Sequence, residues 1–315
     1  MKEILILEGG FNEEHKVSLK TSNEVRKILK KNNFKFKTLL VNPKTFKKDI
    51  IHYSNNFLCF NALHGPFGED GKIQKILSNQ KFKFTHSGIN SSKTCFSKVK
   101  SKIKIIKNNI PTPAFLEINS NLLNKNYLNK CKKKFDKFII KPNESGSSFG
   151  IRIIKNDNDF NNLINNLAKY KKEIINHQSL IIEKYIAGSE LTVSVLEFEN
   201  NIEALEVTEI LTKNKFFDYK AKYSRGFSKH ILPAKIPKAI HKKCLQYALN
   251  AHKVLNCKSI SRSDFIFNKV DHKIYYLETN TQPGLTPISL VPEQAKFKKI
   301  SFERMILQIL KTANE

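Results

Sequence analysis

The sequence predicts an α/β protein of two or three domains, the first of which contains an open, mostly parallel β-sheet. The chain has 315 residues, which is more than one hydrophobic core usually organises. In its first third, apolar strand-like runs alternate with amphipathic helical patterns, as is typical of parallel sheets. Hairpin-like segments replace that alternation from residue 189 onward. We therefore divide the chain into segments 1–96, 97–188 and 189–315.

The first segment opens with KEILILEGG (2–10), which predicts a buried strand ending in a glycine turn. Apolar residues between 17 and 29 then recur at helical spacing, with Asn12 as a plausible N-cap. The other predicted elements of this segment are strands at 36–41 and 57–63 and a helix at 69–77. In open α/β sheets, ligands bind beyond the carboxyl ends of the strands. Glu14 and His64 follow two such ends and are candidate binding residues.

The second and third segments contain further strand and helix patterns. In the second segment we predict a helix at 96–108, a strand at 135–141, a helix with apolar residues from 160 to 167 and a strand at 180–186. In the third we predict a hairpin-like run at 190–210, a helix at 240–255 and a second hairpin at 261–280.

The net charge of +27 raises the alternative of a nucleic-acid-binding protein. Such a protein would have clustered basic residues and aromatic stacking platforms. The lysines are instead spread along the whole chain, and a solvated helix face accounts for the densest run, KCKKKFDK (130–137). We therefore expect no nucleic-acid partner.

The cysteine pattern, the hydropathy and the N-terminal residues indicate in which compartment the protein is expected. The five cysteines are scattered and lack a C-x-x-C pair, which argues against a disulfide framework or a zinc site. No run of 18 or more apolar residues occurs, so we expect no transmembrane helix and no membrane partner. The start, MKEILILEGG, is too short and too acidic for a signal peptide. A cytoplasmic protein is expected.

The run KPNESGSSFG (141–150) follows a predicted strand and is a candidate anion-binding loop. Its small residues would let backbone N–H groups approach an anion, and Ser147 and Ser148 would add hydroxyl donors. Lys141, at the strand end, supplies the positive charge that a phosphate site needs. The run matches neither the Walker loop nor the Rossmann fingerprint. A simple turn between two strands is the structural alternative.

The hairpin SRSDFIFNKVDHKIYYLETN (261–280) carries several polar residues among apolar ones. We predict a register that pairs Asn268 with Ile274, Phe267 with Tyr275, Asp264 with Glu278 and Arg262 with Asn280. Two carboxylates opposite each other repel, so a cation between them is expected. Mg²⁺ prefers such oxygen ligands together with substrate phosphates. The alternative is a solvent-facing hairpin face, and Arg262 would either pair with the carboxylates or stabilise developing negative charge.

Seven fragments, in order, resemble the D-alanine–D-alanine ligases of the ATP-grasp superfamily over essentially the whole chain. They are GGFNEEHKVSL (9–19), NALHGPFGEDGKIQ (61–74), KPNESGSSFGI (141–151), IIEKYIAGSELTVSVL (181–196), FFDYKAKY (216–223), SRSDF (261–265) and LETNTQPGLTPISLVP (277–292). The resemblance implies an ATP-grasp fold of three domains, with an N-terminal open parallel sheet and two α+β domains enclosing the nucleotide. It also implies ATP-dependent ligation of two D-alanines through an acyl phosphate, for peptidoglycan precursor synthesis.

The resemblance further implies a role for individual positions. The first D-alanine would contact Glu14 and His64, and the carboxylate of the second would contact Ser289 and Leu290. ATP would contact Lys98, Lys141, Ser148, Glu183, Ile186 and Glu190, with Lys222 reaching the γ-phosphate when a mobile loop closes. Two Mg²⁺ ions, replaceable by Mn²⁺, would be held by Asp264, Glu278 and Asn280. The oxyanion site would consist of Arg262 and the N–H of Gly284, and Tyr223 would join Ser147 and Glu14 in a hydrogen-bonded set. The family is commonly dimeric, although we find no interface signature.

Several of these residues also have purely structural interpretations. His64 could be a hydrogen-bonded core histidine, Glu14 could complement the helix dipole, and Ser289 could cap a helix. Four positions depart from the family pattern: Lys16, His86, Ser97 and Phe217 stand where Glu, Gly, Asp and Tyr are common. Another carboxylate–amine ligase, or one using D-lactate or D-serine as second substrate, is the alternative enzyme. Tyr223, which ends the run AKY, favours D-alanine.

Overall fold

The computed structural model describes residues 3–146, 149–198, 201–212 and 228–313, which form three β-sheets covered by helices. The first sheet has the strand order β2-β1-β3-β4 and is parallel throughout. Its elements are β1 Ile4–Gly9, α1 His15–Lys31, β2 Phe36–Val41, α2 Phe46–Asp49, β3 Leu58–Asn61, α3 Lys72–Asn79, β4 Lys83–Phe84 and α4 Ile89–Phe96. The predicted open parallel sheet is confirmed.

The second sheet is antiparallel and has the order β5-β8-β6-β7. Its elements, and the helices around it, are α5 Lys98–Lys107, β5 Phe115–Asn119, α6 Lys125–Phe135, β6 Phe138–Pro142, β7 Arg152–Ile154, α7 Asp157–Asn165, α8 Leu167–Glu173 and β8 Ser179–Lys184. The glycine-serine loop connects β6 to β7, as predicted, although Ser147 and Ser148 lie outside the described residues.

The third sheet is antiparallel and has the order β11-β10-β9-β12-β13. The elements of this part are β9 Ser189–Phe198, β10 Asn201–Thr212, β11 Ser228–Ile231, α9 Lys238–Val254, β12 Ile260–Asn268, β13 Lys273–Asn280, α10 Leu290–Phe297 and α11 Phe302–Lys311. Lys222, Tyr223 and Phe217 fall in the connection between β10 and β11, outside the described residues.

One hydrophobic core joins the first sheet to the third part of the chain. Ile4 and Ile6 of β1 share a buried cluster with Leu196 of β9 and Ile260 of β12. Helix α11 adds Met305, Ile306, Ile309 and Leu310, which repeat at helical spacing and are all buried. Because close-packed side chains deform little, this cluster holds the ends of β1 and β3 at a set distance from β12. In the part of the chain described, no helix is long and apolar enough to cross a membrane.

The β12–β13 hairpin confirms the predicted register at one end and contradicts it at the other. Arg262 pairs with Asn280 and Asp264 with Glu278, as predicted. Toward the turn, Phe267 pairs with Ile274 and Asn268 with Lys273, one residue away from the prediction. The cause is a β-bulge between Asp264 and Phe265, where β13 contains one extra residue. Leu277 and Glu278 consequently both face the same cavity, although consecutive strand residues normally face opposite sides.

The start of α1 also differs from the prediction. The N-cap position is occupied by Glu14 and not by Asn12. The Asn12 side chain instead accepts a hydrogen bond from the Glu14 N–H (2.8 Å) and donates one to the His64 carbonyl (2.8 Å). Asn12 therefore ties the loop after β1 to the loop after β3, which places Glu14 beside the His64 loop.

Candidate active site

A cavity of about 240 Å³ lies between the two antiparallel sheets and reaches the loops after β1 and β3. Apolar walls come from both sheets, with Ile139 and Ile153 on one side and Ile210 and Leu277 on the other. Its lining includes twelve residues that the sequence singled out: Glu14, His64, Lys98, Lys141, Glu183, Ile186, Glu190, Arg262, Asp264, Glu278, Asn280 and Gly284. Residues separated by more than 250 positions in sequence thus meet in one space.

Ser289 and Leu290 do not line this cavity but lie next to it. The Ser289 Oγ accepts a hydrogen bond from the Thr286 N–H (3.2 Å) and lies 2.8 Å from the Thr286 hydroxyl. Ser289 occupies the N-cap position of α10 without capping it through its side chain. A Cβ placed on Gly284 would lie 2.9 Å from Ser289 Oγ, so Ser289 and the cavity-lining Gly284 are immediate neighbours.

Two glycines make room for the Glu14 carboxylate. Glu14 is only 8% exposed. A Cβ on Gly65, which has φ +73°, would lie 2.6 Å from Glu14 Oε2, and a Cβ on Gly146 would lie 3.1 Å from it. Neither approach is available to a residue with a side chain unless the carboxylate moves. The glycines of two loops therefore hold Glu14 at the point where the first and second sheets meet.

His64 is buried and has a protein partner near each ring nitrogen. Its Nε2 lies 3.0 Å from the Thr21 hydroxyl, and its Nδ1 lies 3.6 Å from Glu69 Oε1. His86 lies behind it with its Nδ1 2.9 Å from the Thr85 hydroxyl. Burial, followed by the neighbouring His64, lowers the pKa of His86 to about 3, so this ring is neutral at ordinary pH. The pairing of His64 agrees with the structural interpretation of this residue and also holds its ring at the cavity wall.

A triad of charged residues closes the side of the cavity at β8. Glu183 and Lys102 are each 1% exposed, and Lys102 Nζ lies 3.0 Å from Glu183 Oε2. Lys141 contacts the other carboxylate oxygen, Oε1. Burial disfavours the ionised carboxylate, but the charges of Lys102 and Lys141 outweigh burial and lower the pKa of Glu183 to about 2. Burial also opposes charge on Lys141, yet Glu183 and Glu278 raise its pKa.

Lys102 is a buried partner of the site residue Glu183, and the sequence did not single it out because it is one of many lysines. The helical pattern of the sequence could nevertheless have indicated that Lys102 is buried. Val99, Lys102 and Ile105 recur at helical spacing on the buried face of α5, so a lysine stands where an apolar residue is expected.

Arg262 and Asp264 form a bidentate pair on β12. Arg262 Nε donates to Asp264 Oδ1 (2.9 Å) and Nη2 donates to Oδ2 (2.8 Å), while the Thr192 hydroxyl donates to Oδ1 (2.6 Å). Across the hairpin, Glu278 Oε2 lies 3.6 Å from Lys98 Nζ, which also donates to the Ser145 carbonyl (3.0 Å). The facing carboxylates are therefore each compensated by a basic side chain, which was one of the two roles considered for Arg262.

The predicted metal ligands fit Mg²⁺ in donor type and in placement. Asp264 and Glu278 are cross-strand partners, and Asn280 lies two residues after Glu278. All three offer hard oxygen atoms to the cavity. Asn280 Oδ1 accepts a hydrogen bond from the Gln282 N–H (2.7 Å), and both Asp264 oxygens contact Arg262. Among the described residues, no cluster of three His, Cys, Asp or Glu side chains could hold a metal, so this site would depend on the amide and on substrate oxygens.

The structure explains one departure from the family pattern and places a second on the surface. Ser97 is the N-cap of α5, where its Oγ accepts from the Lys100 N–H (3.3 Å); serine serves this position as well as aspartate does. Lys16 is exposed on α1, whereas Glu14 is buried.

Known proteins resemble this chain in sequence and in structure. The family model described as "D-ala D-ala ligase C-terminus" matches residues 105–311. The D-alanine–D-alanine ligase of Pelagibacter ubique is 41% identical over 99% of this chain and 98% of its own length. That of Wolbachia pipientis wMel is 40% identical over 98% of this chain and 93% of its own. A crystal structure of D-alanine–D-alanine ligase from Bacillus anthracis complexed with ATP has a TM-score of 0.79 at 26% identity, covering 99% of this chain and 97% of that one.

The protein has two antiparallel sheets around a charged cavity and a parallel sheet at one end. Together with the structural similarity to a D-alanine–D-alanine ligase, this arrangement places it among the enzymes of the ATP-grasp fold. Sequence identity of about 40% to D-alanine–D-alanine ligases, over nearly the full length of both chains, identifies the family within this class. The chain belongs to the D-alanine–D-alanine ligase family.

Proposed function

We propose that this protein joins two D-alanine molecules to D-alanyl-D-alanine, with conversion of ATP to ADP and phosphate, as a step in peptidoglycan precursor synthesis. The observation that carries the proposal is the single cavity that collects twelve residues implied by the family resemblance from all three segments of the chain. Relatives named D-alanine–D-alanine ligase over the full length support the same substrate.

The nucleotide is expected between the two antiparallel sheets. The adenine ring would lie among the apolar walls that include Ile139, Ile186 and Leu277, and Glu190 would contact the ribose. Lys98 and Lys141 would bind the phosphates, because both ammonium groups line the cavity next to the facing carboxylates. Ser148 and Lys222, outside the described residues, would add further phosphate contacts.

The reacting groups are expected at the meeting point of the first sheet, the glycine-serine loop and β12. Glu14 would hold the ammonium of the first D-alanine, because its carboxylate lines the cavity and is opposite in charge to an ammonium group. His64 would contact its carboxylate, and Ser289 and Leu290 would bind the carboxylate of the second substrate. Tyr223 and Ser147 would complete the hydrogen-bonded set around Glu14. Bound Mg²⁺ or Mn²⁺, held by Asp264, Glu278 and Asn280, would neutralise phosphate charge.

The proposed reaction has two steps: a phosphoryl transfer to a carboxylate, followed by an acyl transfer to an amine. A carboxylate oxygen of the first D-alanine attacks the γ-phosphorus of ATP, and ADP leaves. The amine of the second D-alanine then attacks the acyl carbon, loses a proton, and displaces phosphate. Arg262 and the Gly284 N–H would stabilise the tetrahedral oxyanion, which requires Arg262 to keep one N–H group available while it pairs with Asp264 through Nε and Nη2.

A phosphate-release assay across candidate substrates tests the proposal. We expect turnover with D-alanine, none with L-alanine alone, and little with D-lactate as the second substrate at neutral pH. A site that hydrogen-bonds an N–H group rejects analogues without it by roughly 10⁴-fold in favourable cases. Mass spectrometry should identify the dipeptide. Turnover with L-alanine but not D-alanine would refute the substrate while leaving the ATP-grasp fold standing, and efficient use of D-serine would favour the alternative ligase.

The compartment and the oligomeric state are proposed from family membership alone. We propose a cytoplasmic homodimer whose partners are ATP and D-alanine. Sedimentation velocity of the purified chain tests the dimer, and a single species at 36.4 kDa would contradict it.

A further inference from the structure

Lys102 is a buried cation to which the proposed reaction assigns no role. Its Nζ lies 3.0 Å from Glu183 Oε2, 2.8 Å from the Thr112 hydroxyl and 3.3 Å from the Tyr276 carbonyl oxygen. An ammonium group has three donors, and these three acceptors can engage all of them. The acceptors come from β8, from the segment before β5 and from β13, so Lys102 links both antiparallel sheets to α5.

Glu183 has two basic partners, and they differ in position. Lys102 is enclosed by protein and does not line the cavity, whereas Lys141, in contact with the other carboxylate oxygen, does. A buried carboxylate that loses its only counter-charge is strongly destabilised. With Lys102 in place, Glu183 remains compensated when Lys141 moves away. Without Lys102, Lys141 would be retained as the counter-charge of Glu183.

We propose that Lys102 is a positioning residue that neutralises Glu183, so that Lys141 can leave Glu183 and bind a phosphate of the nucleotide. The inference rests on the proposed ATP binding and goes beyond it, because it assigns the availability of one phosphate-binding lysine to a residue outside the cavity. Lys102 itself contacts no substrate in this scheme.

The distinguishing measurement compares ATP with adenosine, which lacks phosphates. For Lys102→Met we expect ATP affinity to fall at least tenfold, which corresponds to about 1.4 kcal/mol. Adenosine affinity should change less than threefold, because adenosine does not require Lys141. Calorimetry with ATP and ligand-observed NMR with adenosine give the two affinities without turnover. Lys107→Met removes the same charge from an exposed position of α5 and should leave both affinities unchanged.

A second variant separates positioning from a general structural role. In a Glu183→Gln background, the neutral amide no longer retains Lys141, so adding Lys102→Met should not lower the ratio of ATP to adenosine affinity further. This comparison still tests the inference if Lys102→Met alone does not fold, because the double variant has no carboxylate at position 183 that would need a counter-charge. A fall in that ratio in the Glu183→Gln background would overturn the inference.

Two further results of the ATP and adenosine measurements would overturn the inference. Equal weakening of ATP and adenosine by Lys102→Met would indicate a structural role and overturn the inference, as would unchanged ATP affinity. A wild-type protein that binds ATP but does not ligate D-alanine would contradict the proposed function and leave this inference standing.

Discussion

Replacement of Glu183 by glutamine should change the pH dependence of stability by an amount that follows from the triad. The pKa of Glu183 is lowered from 4.5 to about 2, since burial is outweighed by Lys102 and Lys141. One pKa unit corresponds to about 1.4 kcal/mol, so the ionised carboxylate contributes roughly 3 kcal/mol to folding. Because the folded-state pKa is the lower one, this contribution is complete above about pH 5. It is lost as the pH falls toward 2, and about 2 kcal/mol should be gone by pH 3.

Thermal unfolding of wild type and Glu183→Gln between pH 3 and pH 7 measures this contribution. The wild type should be clearly more stable at pH 7, and the gap in unfolding free energy should narrow by about 2 kcal/mol at pH 3. Glu173→Gln is the matched control, because Glu173 pairs with Arg152 at the surface, where ion pairs contribute about 0–1 kcal/mol. A gap between wild type and Glu183→Gln that stays constant from pH 7 to pH 3 would refute the triad as the cause.

Three further predictions concern the active site and the charge of the chain. Glu278→Gln should keep the fold but abolish Mg²⁺-dependent phosphate release, and wild-type turnover at low millimolar Mg²⁺ would show that the metal assignment is wrong. Arg262→Met should lower kcat by about 10²–10³-fold with ATP binding largely kept, as expected for a lost oxyanion donor; a raised KM for ATP with unchanged kcat would indicate a binding role. Binding to random duplex DNA should be weak at physiological salt, and nanomolar binding with a steep salt dependence would revive the nucleic-acid alternative.

The sequence by itself determined the parallel first sheet, the order of the motifs and the register at Arg262 and Asp264. These features depend on local patterns, namely apolar alternation, turn residues and the period of two along a strand. The pairing of Asp264 with Glu278 was predictable because polar residues recur on one face of an apolar hairpin. The same reasoning failed toward the turn, because a bulge leaves no reliable mark in the residue pattern.

Only the tertiary structure decided how distant side chains are paired. Lys102 and Glu183 lie on different elements and 81 positions apart, and they meet because α5 packs against β13, from where the Lys102 side chain reaches Glu183 of β8. Glu14 reaches the glycine-serine loop because glycines at positions 65 and 146 permit a close approach to its carboxylate. Such contacts arise from packing between segments that are far apart in sequence, and no local periodicity encodes which buried charge meets which.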